Sequence, residues 1–522
     1  MEFFIIKKDA MNNENINGQE PIDNVEQLLN EHETRVNKVK EISKLGLESW
    51  PYRETVDSTC AQVKAEFVPE TEKGCENKPA KEAEKEYSLA GRVITIRLHG
   101  KTGFCTIQDR SGRLQIYVKQ DIVGDKEFDF FKDYIDIGDI VWVSGKSFLT
   151  KTGEITLKVE KFKLLSKCLY PLPEKFHGIA DIEIKYRQRY LDLISSPETV
   201  EKFKKRSKIV RTMRNFLDSN DFVEVETPML HPILGGAAAK PFVTHHNALD
   251  SDFYLRIAPE LYLKRLVIGG LERVYEINRN FRNEGVSTKH NPEFTMLEYY
   301  TAHEDYIFAM AFLQELMKKV VSETCDSMIV KFGEHEIDFS KPFEILSMQD
   351  SILKYGDLKK EDLLPENIDK TIKLKGAKLD NINCTLGYKL AALFDAVAEK
   401  NLIQPTFITE YPIDISPLSK TCPNNPEVTS RFELFISGME IANGYNELND
   451  PFDQAERFKK QVEAKESGDA EAHEYDHDFI LALEHALPPT VGVGVGIDRF
   501  VMLLTDTTSI KDVILFPTLK KR

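Results

Sequence analysis

Five side chains between positions 282 and 300 could together hold a ligand that carries a phosphate, a flat ring and a positive charge. Arg282 can grip phosphate or carboxylate oxygens, because its guanidinium presents a planar fork of N–H donors. The ring of Phe294 can stack on a base. The carboxylates of Glu284 and Glu298, with the Tyr300 hydroxyl, predict a cationic group in the ligand, since a buried carboxylate needs a positive partner.

Two strands joined by a polar loop would bring these groups into one pocket. Strand side chains alternate between faces, so Asn278, Asn280, Arg282 and Glu284 share one face of the first strand. The same period assigns four residues to one face of the second strand: Phe294, Met296, Glu298 and Tyr300. Considered without the rest of the chain, such a hairpin is more often a structural ribbon held by ion pairs.

A glycine run near the C-terminus predicts a second ligand surface. Gly492, Gly494 and Gly496 alternate on a predicted strand, which leaves one face bare for a flat ligand. Arg499 follows at the start of a predicted helix. A P-loop or a dinucleotide-binding turn is excluded, because no Lys-Ser/Thr pair follows the glycines and the segment lies near the end of the chain.

The hairpin and the glycine run are preceded by a predicted helix over residues 200–217, a strand over 222–226 and Pro228. In this order the three stretches resemble the three signatures of class II aminoacyl-tRNA synthetases, and they are most similar to the lysyl type. The resemblance covers about residues 36–519. It implies an α+β chain whose catalytic domain has an antiparallel sheet flanked by helices, and a homodimer formed through the first stretch. From its apolar stripe alone, the helix would simply face the core.

The resemblance implies that the hairpin binds ATP. Arg282 would bind the α-phosphate and the amino acid carboxylate, Glu284 the adenine amino group, and Phe294 the adenine ring. Arg499 would reach the adenine and the γ-phosphate, so Arg282 and Arg499 are the predicted catalytic residues. Seven further residues are implied at the nucleotide: Asn283, His290, Asn291, Glu440, Gly496, Ile497 and Asp498.

Residues 433–447 resemble the metal-binding strand of the same family. Glu433 and Glu440 would hold Mg²⁺, which prefers carboxylate and phosphate oxygens, although a solvated strand face would show the same residues. Asn443, Tyr445 and Glu447 share strand parity and would face the amino acid. Because the parity changes between Glu440 and Asn443, we predict a bulge there.

The selected amino acid follows from the charge of the pocket. Aspartate needs a cationic pocket and lysine an anionic one, and Glu298, Glu447 and Tyr300 resemble the lysyl type's cradle for the ε-ammonium. Two carboxylates offset the desolvation of that ammonium far better than one. Glu260 would bind the α-ammonium together with the Gly236 backbone.

The length and composition of the chain limit the class of protein to which it can belong. At 522 residues the chain is too long for one core, so two or three domains are expected. The net charge of −16 argues against nucleic-acid binding by the whole surface, though not by a local basic patch. Seven scattered cysteines form no C-x-x-C pair, which favours reduced thiols and a cytoplasmic location. No apolar run is long enough to span a membrane.

Short strands between residues 87 and 165, with a helix at 126–136 after the third strand, predict an OB-fold; another small β-barrel is the alternative. In the lysyl type, positions matching Phe104 and Gln115 read the tRNA anticodon, by stacking on a base and bonding to its edge. From pattern alone, Phe104 could equally be a core residue. The predicted boundaries are a disordered tail over 1–30, a helical segment and linker over 31–86, an OB-fold over 87–168, a linker over 169–195, and a catalytic domain over 196–522 with a helical insertion at about 325–405.

The function expected from this resemblance is activation of lysine by ATP and its transfer to tRNA(Lys). Three alternatives are weighed. A lysine ligase that modifies a protein would lack the OB-fold, an aspartyl or asparaginyl type would lack the acidic pocket, and a non-catalytic paralogue would be expected to lose Arg282, Glu440 or Arg499.

Overall fold

The computed structural model divides into two compact units, residues 1–178 and 179–522, which are described separately below. No helix among the residues it describes has both the length and the apolar character needed to cross a bilayer. The described residues are 22–67, 85–173, 181–237, 239–379, 385–466 and 474–521.

Two helices precede the barrel of the first unit: α1, Ile22–Lys44, and α2, Cys60–Glu66. A capping box starts α2, in which the Thr59 side chain accepts from the Gln62 N–H and the Gln62 side chain accepts from the Thr59 N–H. Because α1 begins at Ile22, the predicted disordered tail over 1–30 is wrong for residues 22–30. Residues 1–21 of that tail and 68–84 of the predicted linker lie outside the described residues.

A closed five-stranded barrel forms the rest of the first unit and confirms the predicted OB-fold. Alternate residues point inward; on the second strand, for example, Cys105 and Ile107 are fully buried. The strands are β1, Glu86–His99; β2, Thr102–Asp109; β3, Gly112–Lys119; β4, Ile140–Leu149; and β5, Ile155–Ser166, in the order β1-β2-β3-β5-β4. Helices α3, Gln120–Val123, and α4, Asp125–Tyr134, lie between β3 and β4, as predicted.

The second unit opens with two helices, α5, Ile182–Arg187, and α6, Arg189–Ser195. Asp181 caps α5 by accepting from the Glu183 N–H at 2.7 Å. Arg189 is fully buried and pairs with Asp192 at 2.6 Å. The predicted linker over 169–195 is therefore wrong for residues 182–195, because a polar run that looked solvated is anchored by buried hydrogen bonds.

The remaining helices of the second unit flank its sheets. Helices α10 to α12 fall within the predicted insertion at 325–405, together with three short strands. The bounds are α7, Pro197–Asp218; α8, Glu260–Ile268; α9, Tyr306–Thr324; α10, Met348–Gly356; α11, Ile368–Lys375; α12, Leu386–Val397; α13, Pro451–Glu466; α14, His477–Leu483; and α15, Ile497–Leu504.

Fourteen strands are described in this unit, several of them very short. Their bounds are β6, Val223–Glu224; β7, Leu230–His231; β8, Phe242–His246; β9, Ser251–Leu255; β10, Arg273–Phe281; β11, Glu293–Ala302; β12, Ile329–Phe332; β13, His335–Asp338; β14, Glu344–Ser347; β15, Thr406–Pro412; β16, Thr421–Cys422; β17, Asn425–Ile436; β18, Met439–Asn446; and β19, Thr490–Gly496.

One nine-stranded sheet dominates, in the order β14-β15-β17-β18-β19-β11-β10-β6, with β16 paired to β17. Its six central strands, from β15 to β10, are antiparallel, and only the outer pairs β14–β15 and β10–β6 are parallel. This confirms the predicted antiparallel sheet flanked by helices.

The largest hydrophobic core among the described residues of this unit lies beneath α7, α9 and α15. Met213 and Leu217 of α7, Leu316 of α9 and Phe500 of α15 are fully buried in it. Each such side chain contributes roughly 1.5–3 kcal/mol by leaving water. The apolar stripe of α7 is therefore used by the chain's own core.

Candidate active site

A cavity of about 460 Å³ opens on the central strands of the nine-stranded sheet. The side chains that line it lie up to more than 200 positions apart in the sequence, because β10 and β11 lie beside β19, β18 and β17 in the sheet. Of the residues predicted for the catalytic domain, these line it: Gly236, Glu260, Arg282, Glu284, His290, Asn291, Phe294, Glu298, Tyr300, Glu433, Glu440, Asn443, Tyr445, Glu447, Gly496, Asp498 and Arg499.

The strand register explains how the glycines create this cavity. Directly paired residues of antiparallel strands project to the same face, and Gly494 pairs with Glu298 on one side and Asn443 on the other. Each glycine therefore leaves a gap between two functional side chains. The neighbouring row repeats the arrangement with Tyr300, Gly492 and Tyr445.

Gly492 is required by the close approach of two of these side chains. A Cβ atom at this position would lie 2.2 Å from Glu447 Oε1 and 2.4 Å from Tyr300 Cε1. At Gly494 the nearest atom to a Cβ would be the flexible end of Met296, at 3.0 Å. The glycine run thus makes room for the acidic side chains as well as for a ligand.

The predicted bulge on β18 is confirmed. Leu434 pairs with Ala442, but the next residue, Phe435, pairs with Glu440, so Ile441 is the extra residue. The bulge changes the strand parity, and Glu440 and Asn443 both line the cavity as a result.

One end of the cavity carries two guanidinium groups. Arg282 lies over the Phe294 ring at 5.3 Å, and its buried Nε has no hydrogen-bond partner among the described residues. Arg499 donates to the backbone oxygen of Glu440 at 2.8 Å and approaches His290 Nε2 at 3.1 Å. Burial and the Arg499 charge lower the pKa of His290, so this ring is neutral at pH 7. The arrangement suits the charged oxygens of phosphates.

The other end is acidic. Glu260, Glu298 and Glu447 are all nearly inaccessible to solvent, and Glu447 Oε1 has no hydrogen-bond partner among the described residues. Tyr445 donates to Glu260 Oε2 at 2.8 Å, and Tyr300 donates to Glu298 Oε2 at 3.2 Å. Burial, with the neighbouring Glu260 charge, raises the pKa of Glu298 to about 8. A carboxyl group with so high a pKa needs a cation to hold it in the charged form.

Gly236 brings the backbone close to one of these carboxylates, Glu260. Its φ of +93° lies in the region that favours glycine, and a Cβ there would touch the side chain of Glu260 at 3.4 Å. The backbone at Gly236 is thereby brought against the carboxylate with which it was predicted to act.

Glu433 and Glu440 face the cavity from β17 and β18, but their surroundings differ. Glu433 accepts from Arg431 at 2.5 Å and from the Tyr411 hydroxyl at 2.8 Å, and burial raises its pKa. The Glu440 side chain is 42% exposed and has one oxygen 3.2 Å from Arg499. Each carboxylate oxygen has two lone pairs, so both residues keep acceptor capacity for a hard cation.

No cluster of three or more His, Cys, Asp or Glu among the described residues is arranged to hold a metal by itself. Two carboxylates at the guanidinium end fit an ion such as Mg²⁺, which takes one or two carboxylates and completes its shell with water and phosphate oxygens.

Three residues predicted at the nucleotide have structural partners instead. Asn283 is exposed and lies outside the cavity lining, where its side chain donates to the Pro241 oxygen at 3.4 Å. Ile497 is fully buried in the core, so its side chain cannot contact a ligand. The predicted contacts of Asn283 and Ile497 with the nucleotide stay predictions, and these surroundings do not favour them for the side chains. Asn291 lines the cavity, but it donates to the Glu293 oxygen and accepts from the Thr518 N–H.

Asp498 also lines the cavity, and it joins three signature elements. It pairs with Arg206 of α7 at 2.6 Å and accepts from the Thr295 N–H of β11 at 2.8 Å. Arg206 donates in turn to the Thr295 hydroxyl. These contacts fix the position of Arg499, the next residue along α15.

Lys264 is the residue that the sequence analysis missed. It is fully buried, 2.6 Å from Glu260 Oε1 and in still closer contact with Glu447 Oε2. The available signal was its spacing of four residues from Glu260 on α8, which places the two side chains on one helix face. Its contact with Glu447 depends on tertiary packing and has no sequence signal.

In the barrel unit, Phe104 and Gln115 lie on the outer face. Their neighbours Cys105 and Ile116 fill the interior, so the alternative of a core role for Phe104 is excluded. The Phe104 and Tyr117 rings are 4.8 Å apart, and Gln115 donates to the Thr156 hydroxyl at 3.0 Å. Half-exposed rings beside an amide form a surface on which bases can stack.

Comparison with known proteins places both units in established families. A family model described as tRNA synthetases class II (D, K and N) matches residues 181–520, and an OB-fold nucleic acid binding domain matches residues 87–165. The lysine–tRNA ligase of Pectobacterium carotovorum is 48% identical over 508 residues, which cover 95% of this chain and 98% of that protein. Those of Methylobacillus flagellatus and Actinobacillus succinogenes are each 54% identical, over 83% and 85% of this chain and 85% and 88% of their own.

Proposed function

The chain belongs to the class II tRNA synthetases of the D, K and N type, and we propose that the cavity described above is where it joins lysine to ATP. As a lysine–tRNA ligase, it activates lysine with ATP to lysyl-adenylate and transfers the lysyl group to the 3′ end of tRNA(Lys). The roles of individual residues below are part of the proposal.

The observation that supports lysine as the amino acid is the acidic end of the cavity. Glu298 and Glu447 would bind the ε-ammonium with the Tyr300 hydroxyl nearby, and the unpartnered Glu447 Oε1 supplies an acceptor for it. Glu260 and the Gly236 backbone would bind the α-ammonium, with Asn443 and Tyr445 along the side chain. The carboxylate of an aspartate side chain would meet uncompensated negative charge here.

Arg282 would bind the lysine carboxylate and the α-phosphate at the same time, which its planar fork allows. The carboxylate then attacks the α-phosphorus in line and pyrophosphate leaves. No side-chain nucleophile is required. Catalysis rests on positioning of the two reactants and on stabilisation of charge by Arg282 and Arg499.

We propose the remaining nucleotide contacts for residues of the hairpin and of α15. Phe294, with Arg282 over its ring, would hold the adenine, and Glu284 would accept from the adenine amino group. His290 and Asp498 would support Arg499 at the phosphates, and Gly496 lets the nucleotide approach the β19 backbone.

We propose Mg²⁺ as the cation at Glu440 and Glu433. When bound, Mg²⁺ neutralises charge on the phosphate oxygens. Glu440, which is more exposed and has an oxygen free of strong partners, would make the principal contact.

Phe104 and Gln115 on the barrel face would read the anticodon of tRNA(Lys). Single-stranded loops offer splayed bases that stack on aromatic side chains and bond through their edges. The row of rings continues from Phe104 through Tyr117 to Phe148, whose centroid is 5.9 Å from that of Tyr117.

We also propose a homodimer and a cytoplasmic location. Apolar side chains remain exposed on the short strands that follow α7, including Val223, Leu230 and Val243, and burial against a second copy would remove them from water. Sedimentation is expected to show twice the chain mass; a fully active monomer would contradict the dimer.

The experiment that tests the function is ATP–pyrophosphate exchange measured separately with all twenty amino acids. Lysine is expected to support exchange and aspartate and asparagine to give none. Exchange with either of those two, or no exchange with lysine, would contradict the proposal.

A further inference from the structure

A lysine of the chain itself lies at the lysine-binding end of the cavity. The Lys264 side chain is 0% exposed, and its ammonium contacts Glu260 at 2.6 Å and Glu447 more closely still. Under the proposed function, these two carboxylates bind opposite ends of the substrate: Glu260 the α-ammonium and Glu447 the ε-ammonium. One buried cation therefore joins the two recognition points.

The setting of this ammonium is apolar apart from the carboxylates. The Tyr445 and Phe479 rings lie 5.8 Å from Lys264 Nζ. Burial alone would lower the pKa of Lys264, but Glu260 and Glu447 raise it above its usual value, so the ammonium stays charged. Burial raises the pKa of Glu447, and Lys264 is the group that opposes that shift.

Fold stability gives a weak reason for such an arrangement. A buried ion pair is often no more stabilising than apolar residues of the same volume, because both charges lose their hydration. The charge balance gives a stronger reason. The single Lys264 ammonium is shared by two carboxylates, Glu260 and Glu447, and under the proposed function a bound lysine brings one ammonium group to each of them.

We propose that Lys264 is a positioning residue for the amino acid: its ammonium, in contact with both carboxylates, holds Glu260 and Glu447 aimed at the two ammonium groups of the substrate. This inference rests on the proposed function. Without Lys264, the two carboxylates would lose the cation that joins them, and the pKa of Glu447, which burial already raises, would rise further.

The test compares Lys264→Met with the wild-type chain in lysine-dependent ATP–pyrophosphate exchange. Lys264→Met is expected to raise the KM for lysine roughly 100-fold or more at pH 7, the range for a buried charge pair that loses one partner. The KM for ATP should stay within about twofold, because the guanidinium end is untouched. Because the pKa of Glu447 rises further when Lys264 is absent, the lysine defect should shrink as the pH rises.

Arg265→Met is the matched control. Arg265 is the next residue on α8 and pairs with Asp476 at 3.0 Å, but it does not line the cavity. Its loss should leave the KM for lysine and the pH profile as in the wild type. The groups around Glu447 whose titration enters that profile are Lys264, Glu260, Glu298, Tyr300 and Tyr445.

A double variant separates positioning from a general structural effect. If Lys264 acts through Glu447, adding Lys264→Met to Glu447→Gln should raise the KM for lysine by much less than Lys264→Met does alone. Additive effects would overturn the proposal, as would a Lys264→Met enzyme with a wild-type KM for lysine or with equal losses for lysine and ATP.

If Lys264→Met does not fold, Lys264→Gln replaces it, since the amide keeps a hydrogen-bond donor without the charge. Failure of both to fold would also overturn the proposal, because it would assign Lys264 to stability. The wild-type reaction distinguishes the two proposals. Absent exchange with lysine refutes the function, whereas normal exchange in both chains refutes only the role of Lys264.

Discussion

At the scale of single residues, charge decides which ligand the cavity can accept. Glu298 and Glu447 line it from β11 and from the residue after β18, and Glu447 Oε1 has no hydrogen-bond partner among the described residues, although Lys264 contacts the other oxygen. A buried carboxylate without a cation is costly, so these residues are poised to gain more from an ammonium than exposed residues would.

Glu447→Gln should therefore weaken lysine binding while sparing ATP. Loss of one partner of a buried charge pair costs about 3–5 kcal/mol, which corresponds to roughly a 100-fold or greater rise in the KM for lysine. Separate titrations of lysine and ATP in the exchange assay measure the split. Equal losses for both substrates would mean that Glu447 lies outside the amino acid site.

The raised pKa of Glu298 predicts that lysine binding releases a proton. With a pKa of about 8, Glu298 is mostly protonated at pH 7 in the empty site, and it must ionise to bind the ε-ammonium. The affinity for lysine should thus rise by up to about tenfold per pH unit below pH 8 and level off above it. The charged or titratable neighbours that set this pKa are Glu260, Arg256, Tyr300, Glu276 and Glu447.

Calorimetry in buffers of different ionisation enthalpy counts the protons released at pH 7. About one proton is expected for the wild type, with fewer for Glu298→Gln. Proton uptake, or a count unchanged by Glu298→Gln, would contradict the assignment.

At the scale of elements, the glycine strand β19 determines whether the two halves of the site can meet. It separates β11 from β18, and its bare face lets Tyr300 and Glu447 approach over Gly492. A methyl group there has no space, whereas at Gly494 only the mobile end of Met296 must move.

Gly492→Ala should accordingly reduce lysine activation far more than Gly494→Ala. The clash at 2.2 Å with Glu447 Oε1 must displace a binding carboxylate, so at least about a tenfold difference in kcat/KM for lysine is expected. Thermal unfolding of both variants controls for damage to the sheet. Similar losses in the two variants would show that the crowding at Gly492 has no role in binding.

Much of the site at this scale could be predicted from the two-residue period of strands and from the spacing of the motifs. The alternation of Phe294, Glu298 and Tyr300, the bulge beside Glu440 and the bare face at β19 all follow from the two-residue period of a strand. The hydrogen-bond and ion-pair partners of the buried polar groups could not be predicted in this way. The Tyr411 contact of Glu433 and the Glu447 contact of Lys264 join residues on different elements, and a single sequence has no local signal for such pairs.

The helices over 182–195 were missed for a related reason. Their polar composition is typical of a linker, but Arg189 is buried and bonded to backbone oxygens near the C-terminus as well as to Asp192. The family resemblance implied Ile497 at the nucleotide, whereas helix geometry turns its side chain into the core.

At the scale of the whole molecule, the proposed function assigns recognition of the tRNA and activation of the amino acid to different units. The barrel carries Phe104 and Gln115 on its outer face, and the second unit contains the cavity. Changes on the barrel face should therefore act on one step of the reaction only.

Phe104→Ala should slow charging of tRNA(Lys) and leave lysine-dependent ATP–pyrophosphate exchange unchanged. Loss of one base–aromatic stack costs about 1–3 kcal/mol, so the KM for tRNA should rise roughly 5- to 100-fold. Phe131→Ala is a useful contrast, since Phe131 is 1% exposed in the barrel core and its loss should destabilise the unit. Loss of exchange in Phe104→Ala would contradict the separation of the two steps.

The central claim is that paired carboxylates select lysine beside a nucleotide held by Arg282 and Arg499. A crystal structure with lysine and a non-hydrolysable ATP analogue tests it most directly. The account predicts the ε-ammonium about 3 Å from both Glu298 and Glu447, with the lysine carboxylate at Arg282. An ε-ammonium bound elsewhere, with either carboxylate turned away from it, would contradict the account.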